Sequence, residues 1–351
     1  METKRLISVD IARAIAIILV VSYHFQPEGS PEWYNLLQTN LISFIRMPLF
    51  MFVSGYLYIL IEREREKRKK IVKYGDFVWH KFKRLMIPYF FVSCLIISIK
   101  LLIQRRMYVE NPIPLSAFYE LFYNTNVAGY FMWFAYGLFL IFLIIPHFNT
   151  SKRLIIITII ALIIYLIPIE FPHIFSFADL KSKFVYFCLG CFVSDRTMLR
   201  NLPTKINTLI SLLIFIVLCV SMFYIQPFYL KSITGLLTSM AGVMFVLSFS
   251  EFLGKFSEKI TKPLLVVAGC SYTIYLFHTT FMGFAKAIIM KLFHGDMAQN
   301  ELIFIVSGLI VITTGVIAPV LLHLLVVKHS KVFSFLIGTK FLGKKEKVKS
   351  Q

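Results

Sequence analysis

The chain has 351 residues, of which 58% are hydrophobic, and a mean hydropathy of +0.76. Soluble domains average about 45–50% apolar residues, so this composition excludes an ordinary soluble protein. The formal net charge of +19 raises the question of nucleic-acid binding, but the basic residues are not interleaved with aromatic ones as in an RNA-binding motif. We therefore expect a lipid bilayer, and no nucleic acid, as the partner of the basic surface.

Apolar stretches recur along the chain at a length of about 20 residues, which is the length that a helix needs to cross a bilayer core. Strands of a membrane barrel would be about ten residues long and would alternate in polarity, and these stretches do not. The pattern therefore predicts an all-α polytopic membrane protein with about ten transmembrane helices, near residues 7–25, 41–61, 85–103, 129–147, 154–169, 183–194, 206–225, 232–250, 265–285 and 302–327.

Lys and Arg are distributed unevenly over the segments between these predicted helices. With an even number of helices both termini lie on one side, and 27 of the 37 basic residues fall on that side or its flanks. The positive-inside rule then predicts that both termini are cytoplasmic. The organisation expected is one membrane domain, residues 1–330, and a basic cytoplasmic tail, residues 331–351. The charged segment 61–85 is expected to form a solvated or membrane-surface helix.

The first predicted helix carries three ionisable residues, which are costly in a bilayer and therefore indicate function. Asp10 and Arg13 are spaced i,i+3 and can pair on one helix face. His24 lies eleven residues after Arg13, which in an α-helix is about 16 Å along the axis and within about 20° of the same face. Two structural alternatives stay open at this point: an interfacial cap for His24, and a purely structural Asp10–Arg13 pair.

The second predicted helix reads SFIRMPLFMFVSGYLY. It descends from the outer face, so Arg46 is expected at the depth of His24. Phe50 and Ser54 follow Arg46 at i+4 and i+8 on a single stripe. Ser54 and Gly55 form a small pair that allows another helix to approach closely.

The ninth predicted helix contains CSYTIYLFH, in which Ser271, Tyr275 and His278 share one helix face. This face is a second candidate site, although Ser and Tyr in a membrane helix also serve as structural contacts between helices. The chain lacks a phosphate-binding P-loop, a dinucleotide-binding glycine motif and an HExxH zinc motif. We therefore expect no metal site and no ATP-driven pump.

Five motifs, in order along nearly the whole chain, resemble the membrane-bound acyltransferase-3 family. They are Asp10, Arg13 and His24 as Arg-x10-His; Arg46 to Gly55, in which Met51 replaces the second Phe of a usual doublet; Lys81-Phe-Lys83-Arg84-Leu-Met-Ile-Pro88-Tyr89; Trp133-Phe134; and Ser271 to His278. The residues of the second and fourth motifs are most similar to those of the fucose-4-O-acetylase-like branch.

The resemblance implies an O-acyltransferase that moves an acyl group, usually acetyl, from cytoplasmic acyl-CoA to a hydroxyl of a cell-surface or lipid-linked glycan. It implies a multi-pass protein of the bacterial plasma membrane that works with glycan-biosynthesis proteins. Acyl-CoA is the donor substrate, and no permanently bound cofactor is expected. An extended pantetheine arm is comparable in length with the distance of about 16 Å that the helix rise puts between Arg13 and His24.

These motifs suggest the following roles. His24 is the general base toward the acceptor hydroxyl, or the group that carries the acyl transiently. Arg46 stabilises the oxyanion, and Arg13, paired with Asp10, orients the donor arm. The other expected contacts are Lys81, Lys83 and Arg84 with the CoA phosphates, for which a purely topogenic role stays open, and Ser54, Trp133, Ser271, Tyr275 and His278 along the substrate path.

Two other functions stay open on the sequence. A glycan exporter or flippase without acyl-transfer chemistry would use the same polar stripe to bind a sugar in passage. The other superfamily of membrane O-acyltransferases fits less well, because it lacks Arg-x10-His. The acceptor, the length of the acyl group and the oligomeric state are not specified by any motif.

Overall fold

The computed structural model describes residues 7–104, 112–196, 207–255, 258–292, 297–298 and 300–342. Within these residues the secondary structure is helical, with no strand. The α-helices are α1 Ile7–Tyr23, α2 Glu32–Leu37, α3 Ser43–Lys67, α4 Tyr74–Ile103, α5 Ala117–Glu120, α6 Trp133–Ile144, α7 Ser151–Leu166, α8 Phe177–Asp195, α9 Thr208–Ser221, α10 Phe228–Leu253, α11 Glu258–Leu292, α12 Glu301–Leu325 and α13 Lys331–Leu336.

The all-helical class predicted from the sequence is confirmed, and an α-helix lies on each of the ten predicted apolar segments. Among the residues that the structure describes, six helical segments are long and apolar enough to cross a membrane; they are Glu32–Lys67, Tyr74–Ile103, Tyr130–Phe148, Phe228–Leu253, Glu258–Leu292 and Glu301–His329. The number of ten crossings and the cytoplasmic position of the termini stay predictions. The charged segment 61–85 does not form a helix of its own, because α3 extends to Lys67 and α4 begins at Tyr74.

Two shorter helices, α7 and α9, have exposed apolar faces. On α7 the side chains of Ile156, Ile159 and Ile163 are each about half exposed, and on α9 Leu209 and Val217 are more than 60% exposed. Exposed apolar faces of this extent are unusual on soluble monomers, whereas they suit contact with lipid tails. The exposed faces of α7 and α9 therefore agree with a membrane location.

The chain divides into two compact units. The first contains Met1–Glu64, Thr150–Pro168 and Lys183–Val320, and the second contains Arg65–Asn149, Ile169–Ser182 and Leu321–Gln351. All the residues for which the sequence predicts a part in the chemical step, namely Asp10, Arg13, His24 and Arg46, belong to the first unit.

Helix α1 is the central element of the first unit. It packs mainly against α11 and α10, and its Ile11, Ile17 and Val21 are fully buried. Ala12 and Ala16 are 0% and 1% exposed and belong to the apolar core between α1, α3, α9 and α10. A helix that is apolar around most of its circumference is expected inside a bundle, and small side chains let its neighbours approach closely. The polar residues of α1 therefore meet other helices of the first unit.

Helices α3 and α8 cross in backbone contact. A Cβ built on Gly55 would lie 2.0 Å from the Phe187 carbonyl oxygen, and one on Gly190 would lie 2.0 Å from the Phe52 carbonyl oxygen. The Cys191 thiol donates a hydrogen bond to the Gly55 carbonyl oxygen over 3.4 Å. The close approach expected at Ser54-Gly55 is thus made with α8.

An ion pair fixes the same two helices farther along. The Arg63 guanidinium donates from Nε and Nη2 to Asp195 Oδ1, at 2.9 and 2.5 Å. The Asp195 side chain is only 5% exposed and that of Arg63 is 25% exposed. Because a buried charge is costly once its partner is gone, this pair is a stability element of the first unit.

We expect Asp195→Asn to lower the free energy of unfolding by about 1–3 kcal/mol, because a charge-assisted hydrogen bond is lost and the guanidinium stays half-buried. The midpoint of thermal unfolding of the detergent-purified protein measures this loss. The control is Glu258→Gln, which breaks an ion pair with Lys262 whose two side chains are 80% and 72% exposed. Exposed pairs contribute little, so an equal decrease in both variants would contradict this interpretation.

In the second unit, α4 packs against α6, with the Tyr89 hydroxyl donating to the Leu121 carbonyl oxygen over 2.8 Å. The beginning of the expected basic tail belongs to this unit. Ser334 donates to the Val327 carbonyl oxygen over 2.7 Å. Gly338 has φ +69°, and a Cβ there would lie 2.5 Å from the Arg84 carbonyl oxygen. The remainder of the tail, 343–351, lies outside the described residues.

Candidate active site

The Arg13 guanidinium joins two helices of the first unit. It donates from Nη1 to Asp10 Oδ1 over 3.2 Å, within α1, and from Nη2 to Ser271 Oγ over 3.0 Å, on α11. Asp10 and Ser271 are 9% and 4% exposed. The predicted Asp10–Arg13 pair is thus present, and it extends to the Ser271 motif 258 residues later in the chain.

His24 follows the last residue of α1 and meets the second histidine of the predicted set. The ring centroids of His24 and His278 are 5.0 Å apart, with the rings tilted by 56°. His278 is fully buried, and its Nδ1 lies 3.0 Å from the Ile274 carbonyl oxygen and 2.9 Å from that of Tyr275. Carbonyl oxygens only accept hydrogen bonds, so Nδ1 is the donor, and Nε2 carries the lone pair of the neutral ring.

These two contacts order the polar groups along one helix pair. Arg13 on α1 precedes His24 at the end of that helix, as Ser271 precedes His278 on α11, so the two helices run parallel. The helix rise gives about 16 Å from Arg13 to His24 and about 10 Å from Ser271 to His278; the long arginine side chain spans much of the difference. A cationic group and a histidine pair therefore occupy two levels of the α1–α11 interface.

Arg46 lies next to the histidine pair. Its Cζ is 3.4 Å from the centroid of the Tyr23 ring, and the Tyr23 ring meets the His24 ring edge-on at 6.1 Å between centroids. The structure thus brings together His24, His278 and Arg46 at one end of α1, where the guanidinium packs on the Tyr23 ring.

The Tyr23 ring is expected to position Arg46 by a cation–π contact, worth about 0.5–2 kcal/mol. We expect Tyr23→Leu to slow acyl transfer by about 2- to 30-fold for that energy range. The initial rate of transfer at matched protein level measures the effect. Tyr23→Phe keeps the ring and is the control; a Tyr23→Leu enzyme as fast as the Tyr23→Phe enzyme would exclude this role.

Sequence reasoning missed the groups that hold the backbone around His24. The Tyr34 hydroxyl lies 2.8 Å from the Phe25 carbonyl oxygen and 3.1 Å from that of Ser22. The rings of Phe25, Tyr34 and Phe304 form a cluster with centroids 5.0–6.1 Å apart. The Lys286 ammonium donates to the His24 carbonyl oxygen over 3.3 Å. A sequence signal existed for Lys286, because it lies two helical turns, at i+8, after His278.

Ser54 and Tyr275, two residues predicted to bind substrate, make contacts within their own helices. Ser54 donates its hydroxyl to the Phe50 carbonyl oxygen of its own helix over 2.7 Å. Tyr275 is 7% exposed, and its ring stacks on Tyr272 at 5.9 Å between centroids. The substrate-binding roles of Ser54 and Tyr275 stay predictions.

Four predicted residues belong to the second unit. The Lys81 ammonium lies 3.6 Å from the centroid of the Phe142 ring, and that of Lys83 lies 5.7 Å from the Trp79 ring. Arg84 is exposed. Trp133 is 5% exposed, and its carbonyl oxygen accepts a hydrogen bond from Ser176 over 3.2 Å. Their roles toward CoA phosphates and the acceptor stay predictions.

Comparison with known proteins identifies the chain through its family. No curated protein and no solved structure matches it. The model of the acyltransferase-3 family, described as an acyltransferase domain, matches residues 6–322. The match extends over most of both units and includes every residue of the site just described. The chain therefore belongs to the acyltransferase-3 family and is a membrane acyltransferase.

Proposed function

We propose that the chain is an O-acyltransferase that moves an acyl group, acetyl in the first instance, from cytoplasmic acyl-CoA to a hydroxyl of a cell-surface or lipid-linked glycan. The proposal includes ten membrane crossings, cytoplasmic termini, a bacterial plasma membrane and work alongside glycan-biosynthesis proteins. Its support is the resemblance of five motifs to the family, the second and fourth of which are most similar to its fucose-4-O-acetylase-like branch.

One observation carries the proposal: the His24 and His278 rings lie 5.0 Å apart, with the Arg46 guanidinium stacked on the adjacent Tyr23 ring. A histidine is the side chain best suited to proton transfer near neutral pH. A guanidinium beside it suits a reaction in which negative charge develops on an oxygen. This combination favours acyl transfer over passive binding of a sugar.

In the proposed step, one ring nitrogen of His24 takes the proton of the acceptor hydroxyl. The hydroxyl oxygen attacks the thioester carbonyl carbon, and Arg46 stabilises the oxyanion. The C–S bond then breaks, CoA leaves as a thiolate, and the proton held by His24 neutralises it. Because His278 Nδ1 donates to backbone carbonyls, its Nε2 can accept a hydrogen bond from His24 and orient that ring, as the third group of a catalytic triad does.

Arg13 has a different role in the proposal. Its guanidinium is held on two sides, by Asp10 and Ser271, about 16 Å from His24 by helix rise. With the amino terminus in the cytoplasm, Arg13 lies toward the donor side and His24 toward the acceptor side. We assign Arg13 to orienting the pantetheine arm of acyl-CoA, which is long enough to extend between the two levels.

The test uses the purified chain in lipid nanodiscs with acetyl-CoA labelled in the acetyl group. The acceptor is envelope glycan prepared from cells that lack this chain. We expect label to appear in the glycan and one CoA thiol to be released for each acetyl group transferred. Succinyl-CoA in a parallel reaction reports the preferred acyl length.

The exporter hypothesis predicts the opposite pattern. Under that hypothesis the purified chain consumes no thioester, and cells that lack the chain retain glycan on the inner side of the membrane. This pair of results would overturn the proposed enzyme, whereas thioester consumption that depends on the glycan acceptor excludes a transporter without chemistry.

A further inference from the structure

Lys286 is a cation within the first unit that no predicted role explains. It lies on α11, two turns after His278, and is half-buried. Its Nζ is 3.3 Å from the His24 carbonyl oxygen and 5.9 Å from the centroid of the Phe25 ring. An ammonium in a membrane helix is costly, and here it is directed at the backbone of the residue proposed as the base.

Carbonyl oxygens at the end of α1 need hydrogen-bond donors from outside the helix. The last carbonyl groups of a helix have no amide partner within it, and His24 occupies the turn that ends α1, its own amide bonding the Val21 carbonyl oxygen. Side chains supply several of the missing donors: the Tyr34 hydroxyl to Ser22 and Phe25, and Lys286 to His24. A cation at a helix carboxyl end also complements the helix dipole.

Lys286 therefore provides a second contact between α11 and His24. The first is the contact of the His278 ring with the His24 imidazole; the second is the hydrogen bond to the His24 carbonyl oxygen. One contact constrains the side chain and the other constrains the backbone that carries it.

We infer that Lys286 is a positioning residue for His24, which fixes the backbone at the end of α1 so that the imidazole faces the reacting groups. The inference rests on the proposed function for its kinetic consequence, but the positioning itself can be measured without catalysis. A reacting group that shifts by about 1 Å can cost a factor of about 100 in rate, so losing this anchor affects turnover more than binding.

The kinetic test compares Lys286→Met, Lys286→Arg and, as a control on the same helix, exposed Lys291→Met. We expect Lys286→Met to lower kcat by about 10- to 100-fold, the range for one hydrogen bond to a charged group. The KM for acyl-CoA stays within about twofold, because only the placement of the base changes. Lys286→Arg keeps a cationic donor and restores most of the rate, and Lys291→Met matches the unchanged chain.

The second readout is the rate at which diethylpyrocarbonate modifies His24, followed by mass spectrometry on the folded protein. We expect this rate to change at least about threefold in Lys286→Met, because the ring is released from a fixed position, and to be unchanged in Lys291→Met. Unchanged modification of His24 in Lys286→Met overturns the inference, as does an arginine variant as slow as the methionine variant. Altered modification in a chain that transfers no acyl group refutes the proposed function and supports the positioning role.

Discussion

Replacing His24 by alanine is expected to reduce acyl transfer at least about 100-fold, since a general base contributes about two to four orders of magnitude. The His24 ring contacts His278 and lies beside the Tyr23–Arg46 pair. The initial rate of label transfer to the glycan, with equal amounts of purified protein, measures the loss.

The matched control is His173→Ala, which removes an exposed histidine from the second unit. Both variants are compared by size-exclusion elution before the assay, so that misfolding is not counted as loss of chemistry. We expect His173→Ala to transfer label at the rate of the unchanged chain. A His24→Ala rate within about twofold of that control would be incompatible with a general-base step, whose loss costs far more.

Replacing Gly190 by alanine is expected to have the largest effect on folding. The new Cβ would lie 2.0 Å from the Phe52 carbonyl oxygen and 3.0 Å from the Tyr56 amide nitrogen. Both obstacles are backbone atoms of α3, so no side chain can rotate away and the helices must separate. Overpacking in a core costs about 1–3 kcal/mol when side chains can adjust, and we expect a larger loss here, seen as little folded protein.

The control for this substitution is Gly269→Ala, because a Cβ on Gly269 meets nothing within 4 Å. Alanine is favoured over glycine in a helix by about 1 kcal/mol, so this variant is expected to fold as well as the unchanged chain or better. Fluorescence-detected size exclusion of tagged variants gives the folded fraction. Equal yields of the two alanine variants would show that the α3–α8 crossing tolerates separation.

The helices of this fold were predictable because hydrophobic length is a direct consequence of bilayer thickness. The ends of the helices were less predictable. The charged residues that follow the apolar part of α3 extend that helix to Lys67, because Glu, Arg and Lys are good helix formers. Which helices pack together could not be deduced from α1 alone, whose alanines permit a close neighbour without specifying one. Gly55 indicated close packing, but only the fold identifies α8 as its partner.

In the site, too, contacts within one helix were predictable and contacts between helices were not. Spacing along one helix predicted the Asp10–Arg13 pair and the shared face of Ser271 and His278, because i,i+3 and i,i+4 neighbours are fixed by helix geometry. The contacts between α1 and α11 are separated by 258 residues for Arg13 and Ser271, and no local rule relates them. Spacing places Lys286 two turns after His278 on the same helix, but its contact with the His24 carbonyl oxygen joins residues 262 positions apart, which spacing does not predict.

The most direct test of the account is a double-mutant cycle on the two facing histidines, His24→Gln and His278→Gln, alone and together. Residues that act as one catalytic unit show strongly non-additive losses. We therefore predict that the double variant transfers acyl groups no more than about threefold slower than His24→Gln alone. Losses that multiply, or a His24→Gln chain that keeps its full rate, would contradict a shared site at the end of α1.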